Sequence, residues 1–186
     1  MRLFVAVLLS DEVRGRLAEA QDRLREARAD VSWVKPGNLH ITLKFLGEME
    51  PKRLDRIRSA LANAALRVTA FSAEVAGIGT FGGRTPRVVW AGVREGAEPL
   101  GALAGAVEEA LAGVGVPQER RGFTAHFTLG RIRSPKNLEA LHAAIRAEPT
   151  GGFGATRVDQ CVLIESQLDP GGSIYTVRER FALRLD

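Results

Sequence analysis

Cysteine is nearly absent from this chain of 186 residues, where Cys161 stands alone. An intramolecular disulfide and a cysteine-built metal site are both excluded. Its neighbours Val162, Leu163 and Ile164 are apolar, so a buried, inert thiol is expected rather than a nucleophile. No apolar run is long enough to span a bilayer, and no membrane partner is expected. The opening Met1-Arg2-Leu3-Phe4-Val5-Ala6-Val7-Leu8 has one positive charge before its apolar residues, but Asp11 and Glu12 follow at once. That pattern argues for a strand rather than a leader, and for a cytoplasmic protein. Histidine is scarce as well. His40, His126 and His142 lack the short spacing and acidic company of a metal site, so no metal ion and no cofactor are expected. A Walker-type glycine loop and a nucleotidylated-lysine motif are also missing.

What remains is ordinary for a globular chain: 45% hydrophobic and 26% charged residues, in a length that suits one domain or two small lobes sharing a core. A net charge of +4 mildly favours an anionic partner. The basic side chains are overwhelmingly arginine. Arg120 and Arg121 precede the second of two related segments, Arg131 and Arg133 follow it, and Lys35 and Lys44 flank the first.

Those two segments organise the chain. His40-Ile41-Thr42-Leu43-Lys44-Phe45-Leu46-Gly47 and His126-Phe127-Thr128-Leu129-Gly130-Arg131 both read His-x-Thr-Leu. In the first, Asn38, His40, Thr42 and Lys44 alternate with Leu39, Ile41, Leu43 and Phe45. In the second, Thr124, His126 and Thr128 alternate with Phe123, Ala125, Phe127 and Leu129. Alternation of this kind predicts two half-buried strands, each presenting one imidazole and one hydroxyl on its open face.

The rest of the chain supplies supports. A strand is expected over 3–8. Ser10 caps a following helix with Val13, Leu17, Leu24 and Ala27 inward. A short extended piece, 31–34, and a turn at 35–38 lead to the first histidine strand. Pro51 opens a second helix with Leu54, Ile57, Leu61 and Ala65 inward. Strands are expected at 71–78 and 87–93, separated by a loop at 79–83. A third helix starts at Pro99, and Gly113 to Pro117 breaks it. Ser134-Pro135 begins a fourth, with Leu138, Leu141 and Ile145 inward. Extended runs at 153–159, 161–168 and 173–185 close the chain, the last two joined by the turn Asp169-Pro170-Gly171-Gly172. A helix precedes each histidine strand, and a helix then strands follow it. This is a degenerate internal repeat with a boundary near residue 95. The expected fold is α+β and bilobal: two antiparallel sheets related by a pseudo-twofold, helices on the outer faces, and the two histidine strands side by side.

Two facing imidazoles suit paired proton transfer near neutral pH. The Thr hydroxyls can donate to phosphate oxygens, and nearby cations can balance their charge. Those are the parts that phosphodiester hydrolysis requires, with no metal among them. Lys44, Arg131, Arg120 and Arg121 are candidates for holding substrate. Phe81 is a candidate for stacking a base. Tyr175 shares the apolar phase of the last strand with Val177, Phe181 and Leu183, which favours a core role while keeping it a substrate-binding candidate. Core packing is expected for Trp90 and Phe123. His142, unrepeated and close to Leu138 and Ile145 on a helix, is read as a surface or core-edge residue.

The paired segments resemble the two-histidine (2H) phosphoesterase superfamily. Within it the chain is most similar to the bacterial and archaeal RNA 2′,3′-cyclic phosphodiesterases, also labelled 2′-5′ RNA ligases. The likeness runs from the opening strand through Arg87-Val88-Val89-Trp90-Ala91-Gly92 to Glu165-Ser166 and Tyr175. It implies a metal-free, bilobal α+β protein that opens a terminal 2′,3′-cyclic phosphate to a 2′-phosphate. His40 would then be the proton donor to the leaving 3′-oxygen, His126 the proton acceptor from water, and Thr42 and Thr128 the phosphate ligands. The near-symmetric copies do not by themselves assign donor and acceptor. The implied partners are RNA ends or nucleotides carrying a cyclic phosphate, with a monomer expected. Two alternatives stay open: a 2′-5′ RNA ligase joining tRNA halves, and a non-catalytic nucleotide-binding module of the same fold.

Overall fold

Apolar side chains at every position from Leu3 to Val7 call for a strand covered on both faces. The first strand, β1 (Arg2–Leu8), has that place, with all five residues buried between neighbours on either side. The computed structural model describes residues 1–186. Ser10 caps α1 (Asp11–Arg25) by accepting the Val13 N–H at 3.3 Å. Asp11 and Glu12 in its first turn and Arg23 and Arg25 in its last suit the helix dipole. β2 (Val31–Trp33) and a 3₁₀ turn at Pro36–Asn38 precede β3 (His40–Glu48). A second 3₁₀ turn at Pro51–Arg53 leads into α2 (Leu54–Ala65). Then come β4 (Phe71–Phe81), β5 (Val88–Glu95), α3 (Ala97–Ala112), β6 (His126–Ile132) and α4 (Leu138–Arg146). β7 (Gly154–Val158), β8 (Gln160–Asp169) and β9 (Gly172–Ala182) complete the chain.

Several boundaries depart from the sequence reading. β4 runs on through Gly79, Thr80 and Phe81, where a loop was expected. Gly79 stands in a strand because the Trp90 indole lies across it, where any Cβ would collide with the ring. α3 begins two residues before Pro99, which its first turn tolerates because that N–H needs no partner there. α4 starts at Leu138, leaving Ser134 and Pro135 in the preceding turn. The final extended run stops at Ala182, and Arg184 forms an isolated bridge to Thr69.

The strands form two antiparallel sheets, ordered β3-β1-β8-β9 and β2-β6-β5-β4-β7. The first order corresponds strand for strand to β6-β5-β4-β7, which is the pseudo-twofold. Each histidine strand therefore has the same partner relation in its own sheet: β3 beside β1, β6 beside β5. The helices cross over. α1 follows β1 but packs against β7 and α4; α3 follows β5 but reaches β3; α2 packs against α3 and β9. The main core lies beneath these helices and includes Leu17, Leu24, Leu61, Leu103, Phe127 and Leu129. A smaller cluster of Phe4, Ala6, Val162 and Ile164, with Tyr175 and Val177 against it, lies apart from that core. No helix is long and apolar enough to cross a membrane.

Gln21 shows how tightly the outer helices grip the sheets. It lies on the apolar stripe of α1, fully buried, and its amide donates to the carbonyls of Val34 (2.8 Å) and Leu129 (2.9 Å). Gln21→Leu would leave both carbonyls without that donor, and a loss of about 1–3 kcal/mol is expected. A denaturant midpoint unchanged from wild type would show that water replaces the amide without cost.

Candidate active site

Both histidine strands carry the same irregularity. Opposite β3, Val5 pairs with Lys44 and Ala6 with Thr42, so Leu43 is an extra residue. Opposite β5, Val89 pairs with Gly130 and Trp90 with Thr128, so Leu129 is extra. A bulge inverts the phase of everything beyond it and re-aims side chains. His40 and Thr42 precede the bulge and share a half-exposed face, as do His126 and Thr128. Beyond it, Phe45 and Arg131 turn outward at equivalent positions, while Lys44 and Gly130 turn inward.

Two expectations are corrected by this geometry. Lys44 does not share the open face with His40: its side chain is 1% exposed, and Nζ donates to Glu108 Oε1 at 2.7 Å and to the Pro117 carbonyl at 2.8 Å. It is not available to a phosphate. Phe45, expected in the core, is 59% exposed and lies near Phe4, with ring centroids 5.9 Å apart. Strict alternation assumes an unbroken strand, and a single inserted residue flips each side chain after it.

The two histidine strands are not paired in one sheet. β3 is the edge of the four-stranded sheet and β6 an inner strand of the other, and the two meet across the seam between the sheets. His40 Nδ1 donates to the Asn38 carbonyl at 2.6 Å, and His126 Nδ1 to the Thr124 carbonyl at 2.7 Å. A carbonyl can only accept, so Nδ1 carries the hydrogen in both rings and Nε2 is left without a backbone partner. His40 Nε2 lies 2.9 Å from Thr42 Oγ1. The carbonyl that orients His40 is itself secured, because the Asn38 amide donates to the Ser173 carbonyl at 2.9 Å, next to the β8–β9 turn.

Aromatic rings wall each imidazole. Phe4 lies 4.9 Å from His40, and Tyr175 meets it edge-on at 5.4 Å. Phe81 meets His126 edge-on at 5.1 Å and stacks on Trp90 at 5.2 Å. Phe81 and Tyr175, both substrate-binding candidates, thus stand beside the histidines. Trp90, expected to pack in the core, is half-buried on the site side, opposite Thr128. Phe123 packs against the core. A further bulge, between the Leu163–Glu179 and Ile164–Val177 pairs, separates Tyr175 and Val177 from Phe181 and Leu183, which enter the main core instead.

Burial pushes the His40 pKa below its usual value, and the charges of Arg131 and His126 push the same way against the Asn38 bond. Arg131, outward beyond its bulge, is the arginine among those charges. Arg120 and Arg121 are exposed in the stretch 116–125, which is neither helix nor strand and leads into β6. His142 is half-buried on α4 rather than on a histidine strand, with Nε2 unpartnered. Burial likewise raises the Cys161 thiol to about 12, well out of nucleophile range. No group of three or more His, Cys, Asp or Glu is placed to hold a metal ion.

Asn38, Gln21 and Glu108 were missed by motif reading. Gln21 left a signal, an amide on an apolar helical stripe. Glu108 left none, because one acidic residue on a helix is ordinarily solvated.

The family model described as LigT like phosphoesterase matches the chain twice, over residues 7–90 and 92–175. The RNA 2′,3′-cyclic phosphodiesterase of Methanothermobacter thermautotrophicus is 35% identical over 184 residues, spanning 98% of this chain and 99% of that one. Among solved structures, a Thermus thermophilus protein superposes with a TM-score of 0.83 at 33% identity, over 100% of both chains. Escherichia coli LigT complexed with 3′-AMP superposes with a TM-score of 0.79 at 28% identity, over 98% of this chain and 97% of that one. Two bulged histidine strands facing each other across two sheets, with relatives matched end to end, place this chain in the LigT-like family of 2H phosphoesterases.

Proposed function

We propose that the protein is a 2′,3′-cyclic phosphodiesterase acting on RNA ends by metal-independent, two-histidine acid–base catalysis. The observation that carries this reading is the matched orientation of the rings, with Nδ1 of each fixed on a carbonyl two residues back. That orientation supports a reading in which both Nε2 atoms exchange the protons. In the forward reaction His126 takes a proton from water, the water oxygen bonds to phosphorus, and the P–O3′ bond breaks. His40 gives its proton to the departing 3′-oxygen, leaving a 2′-phosphomonoester. Thr42, Thr128 and Arg131 hold the phosphoryl oxygens. Relatives named RNA 2′,3′-cyclic phosphodiesterase at 30–39% identity support the substrate class.

We also infer that the chain is one bilobal domain built as a degenerate repeat with interleaved lobes. The double match of one family model supports this, as do α1 and α3, each packing beyond the sheet it leaves.

The test is an RNA oligonucleotide ending in a 2′,3′-cyclic phosphate, incubated with and without chelator, its products identified by mass and by end-group chemistry. A 2′-phosphate formed at equal rates in both is expected, since no ligand set for a catalytic ion is present. Activity lost in chelator and restored by a divalent cation would overturn the metal-independent part. With a second oligonucleotide bearing a 5′-hydroxyl, a 2′-5′-joined product would establish ligation, the same chemistry reversed. Binding without turnover would reduce the protein to a nucleotide-binding module.

A further inference from the structure

Lys44 belongs to the first histidine segment but not to the open face, and a buried charge there requires a reason. An ion pair whose ammonium is buried, here against a carboxylate 24% exposed, is a poor device for stability, since apolar residues of the same volume often serve as well or better. It is a good device for fixing one geometry. The Glu108 carboxylate that accepts from Lys44 also accepts the Glu119 backbone N–H at 2.6 Å, and the ammonium holds the Pro117 carbonyl as well. Three bonds thus join β3, α3 and the first residues of the irregular stretch 116–125. That stretch is pinned at its far end by the Thr124 carbonyl on His126. Arg120 and Arg121 sit between the two anchors, exposed and outside every ion pair that the structure contains. The pseudo-equivalent residue in the other half, Gly130, cannot serve the same purpose. A Cβ there would lie 2.6 Å from Val31 Cγ1, and Gln21 grips that bulge through the Leu129 carbonyl instead.

We propose that Lys44 is a positioning residue for substrate binding. With Glu108 it forms a latch that holds the 117–123 stretch in place, so that Arg120 and Arg121 are presented together to the phosphates of the RNA strand entering the histidine cleft. This rests on the reading of His40 and His126 as a phosphodiesterase site. It goes beyond that reading by assigning RNA affinity to a buried residue that touches no substrate.

The experiment compares Lys44→Met, Lys44→Arg, Glu108→Gln and Arg120→Ala/Arg121→Ala on a cyclic-phosphate oligonucleotide, with anisotropy of a labelled 2′-phosphate oligonucleotide read in parallel. Lys44→Met is expected to raise KM about tenfold with kcat nearly unchanged, as for a lost contact to a charged group. Lys44→Arg should recover most of the affinity, and the salt dependence of binding should flatten in Lys44→Met. In the Arg120→Ala/Arg121→Ala background, adding Lys44→Met should change KM by less than about twofold, since coupled residues are non-additive. Fully additive effects, or a fall in kcat with KM unchanged, would overturn the proposal. If Lys44→Met does not fold, Glu108→Gln, which keeps a carbonyl oxygen for the Glu119 N–H, carries the same comparison. Absence of turnover in the wild type would instead refute the phosphodiesterase reading, and the anisotropy arm would still decide whether the latch controls RNA affinity.

Discussion

Alanine in place of His40 or His126 is expected to lower kcat/KM by about 10²–10⁴-fold in each case, the usual range for removing a positioned acid or base. The double variant is expected to be little worse than either single one, because the two serve as a unit in one displacement at phosphorus. Their settings give this expectation its weight. Each Nδ1–H is occupied by a backbone carbonyl, so neither ring can rotate to offer its other nitrogen without losing a bond at 2.6 or 2.7 Å. No other histidine can substitute. His142 lies on α4, and His142→Ala should leave turnover near wild type. Steady-state kinetics on a cyclic-phosphate oligonucleotide would check all four variants. A loss of only a fewfold in His126→Ala would mean that solvent suffices as the base at that position, and the paired mechanism would fall.

Much of this site was legible in the sequence because a repeated motif carries its own control. Two His-x-Thr-Leu segments in a chain with three histidines predict a shared face. His40, Thr42, His126 and Thr128 do lie on the faces that period-two alternation gives them. The strand and helix order followed from apolar spacing, and Ser10 capped the helix it was expected to cap. The alternation failed at Lys44 and Phe45, just past the bulge. Nothing in the composition of Thr42-Leu43-Lys44 announces an extra residue there; the pairing with β1 creates it. Trp90 was misplaced for a related reason. A large aromatic in a strand reads as core, but the glycines at 79 and 92 make room for it on the other face, and that relation is visible only once the partner strand is known. The Lys44–Glu108 pair joins residues far apart in the chain, and no local pattern encodes it.

The assignment of donor and acceptor should be decided by pH dependence and leaving group together. If His40 is the acid, it must be protonated to work, and activity is lost as pH rises through its pKa. Burial and the charges of Arg131 and His126 hold that pKa below the usual histidine value in the free protein, so the loss should begin at lower pH than for an ordinary imidazole. In wild type the two limbs of kcat/KM belong to the coupled pair. In His126→Ala a single limb should remain, falling with rising pH and reporting His40 alone. A limb that instead rises with pH would make His40 the base and exchange the roles. The leaving group gives an independent answer. A substrate whose departing oxygen is a stable anion needs no proton, so it should restore His40→Ala by most of the roughly 10²–10⁴-fold that the acid contributes, and leave His126→Ala impaired. Rescue of His126→Ala alone would agree with the inverted limb, and rescue of neither would remove general acid catalysis from the mechanism. Thr42→Ala offers a finer reading of the same chemistry. It takes away the hydroxyl 2.9 Å from His40 Nε2, and a cost of about 1–3 kcal/mol is expected if that hydroxyl also donates to the phosphate. Because the hydroxyl is proposed to hold phosphoryl oxygens rather than deliver the proton, the good leaving group should not repair this variant.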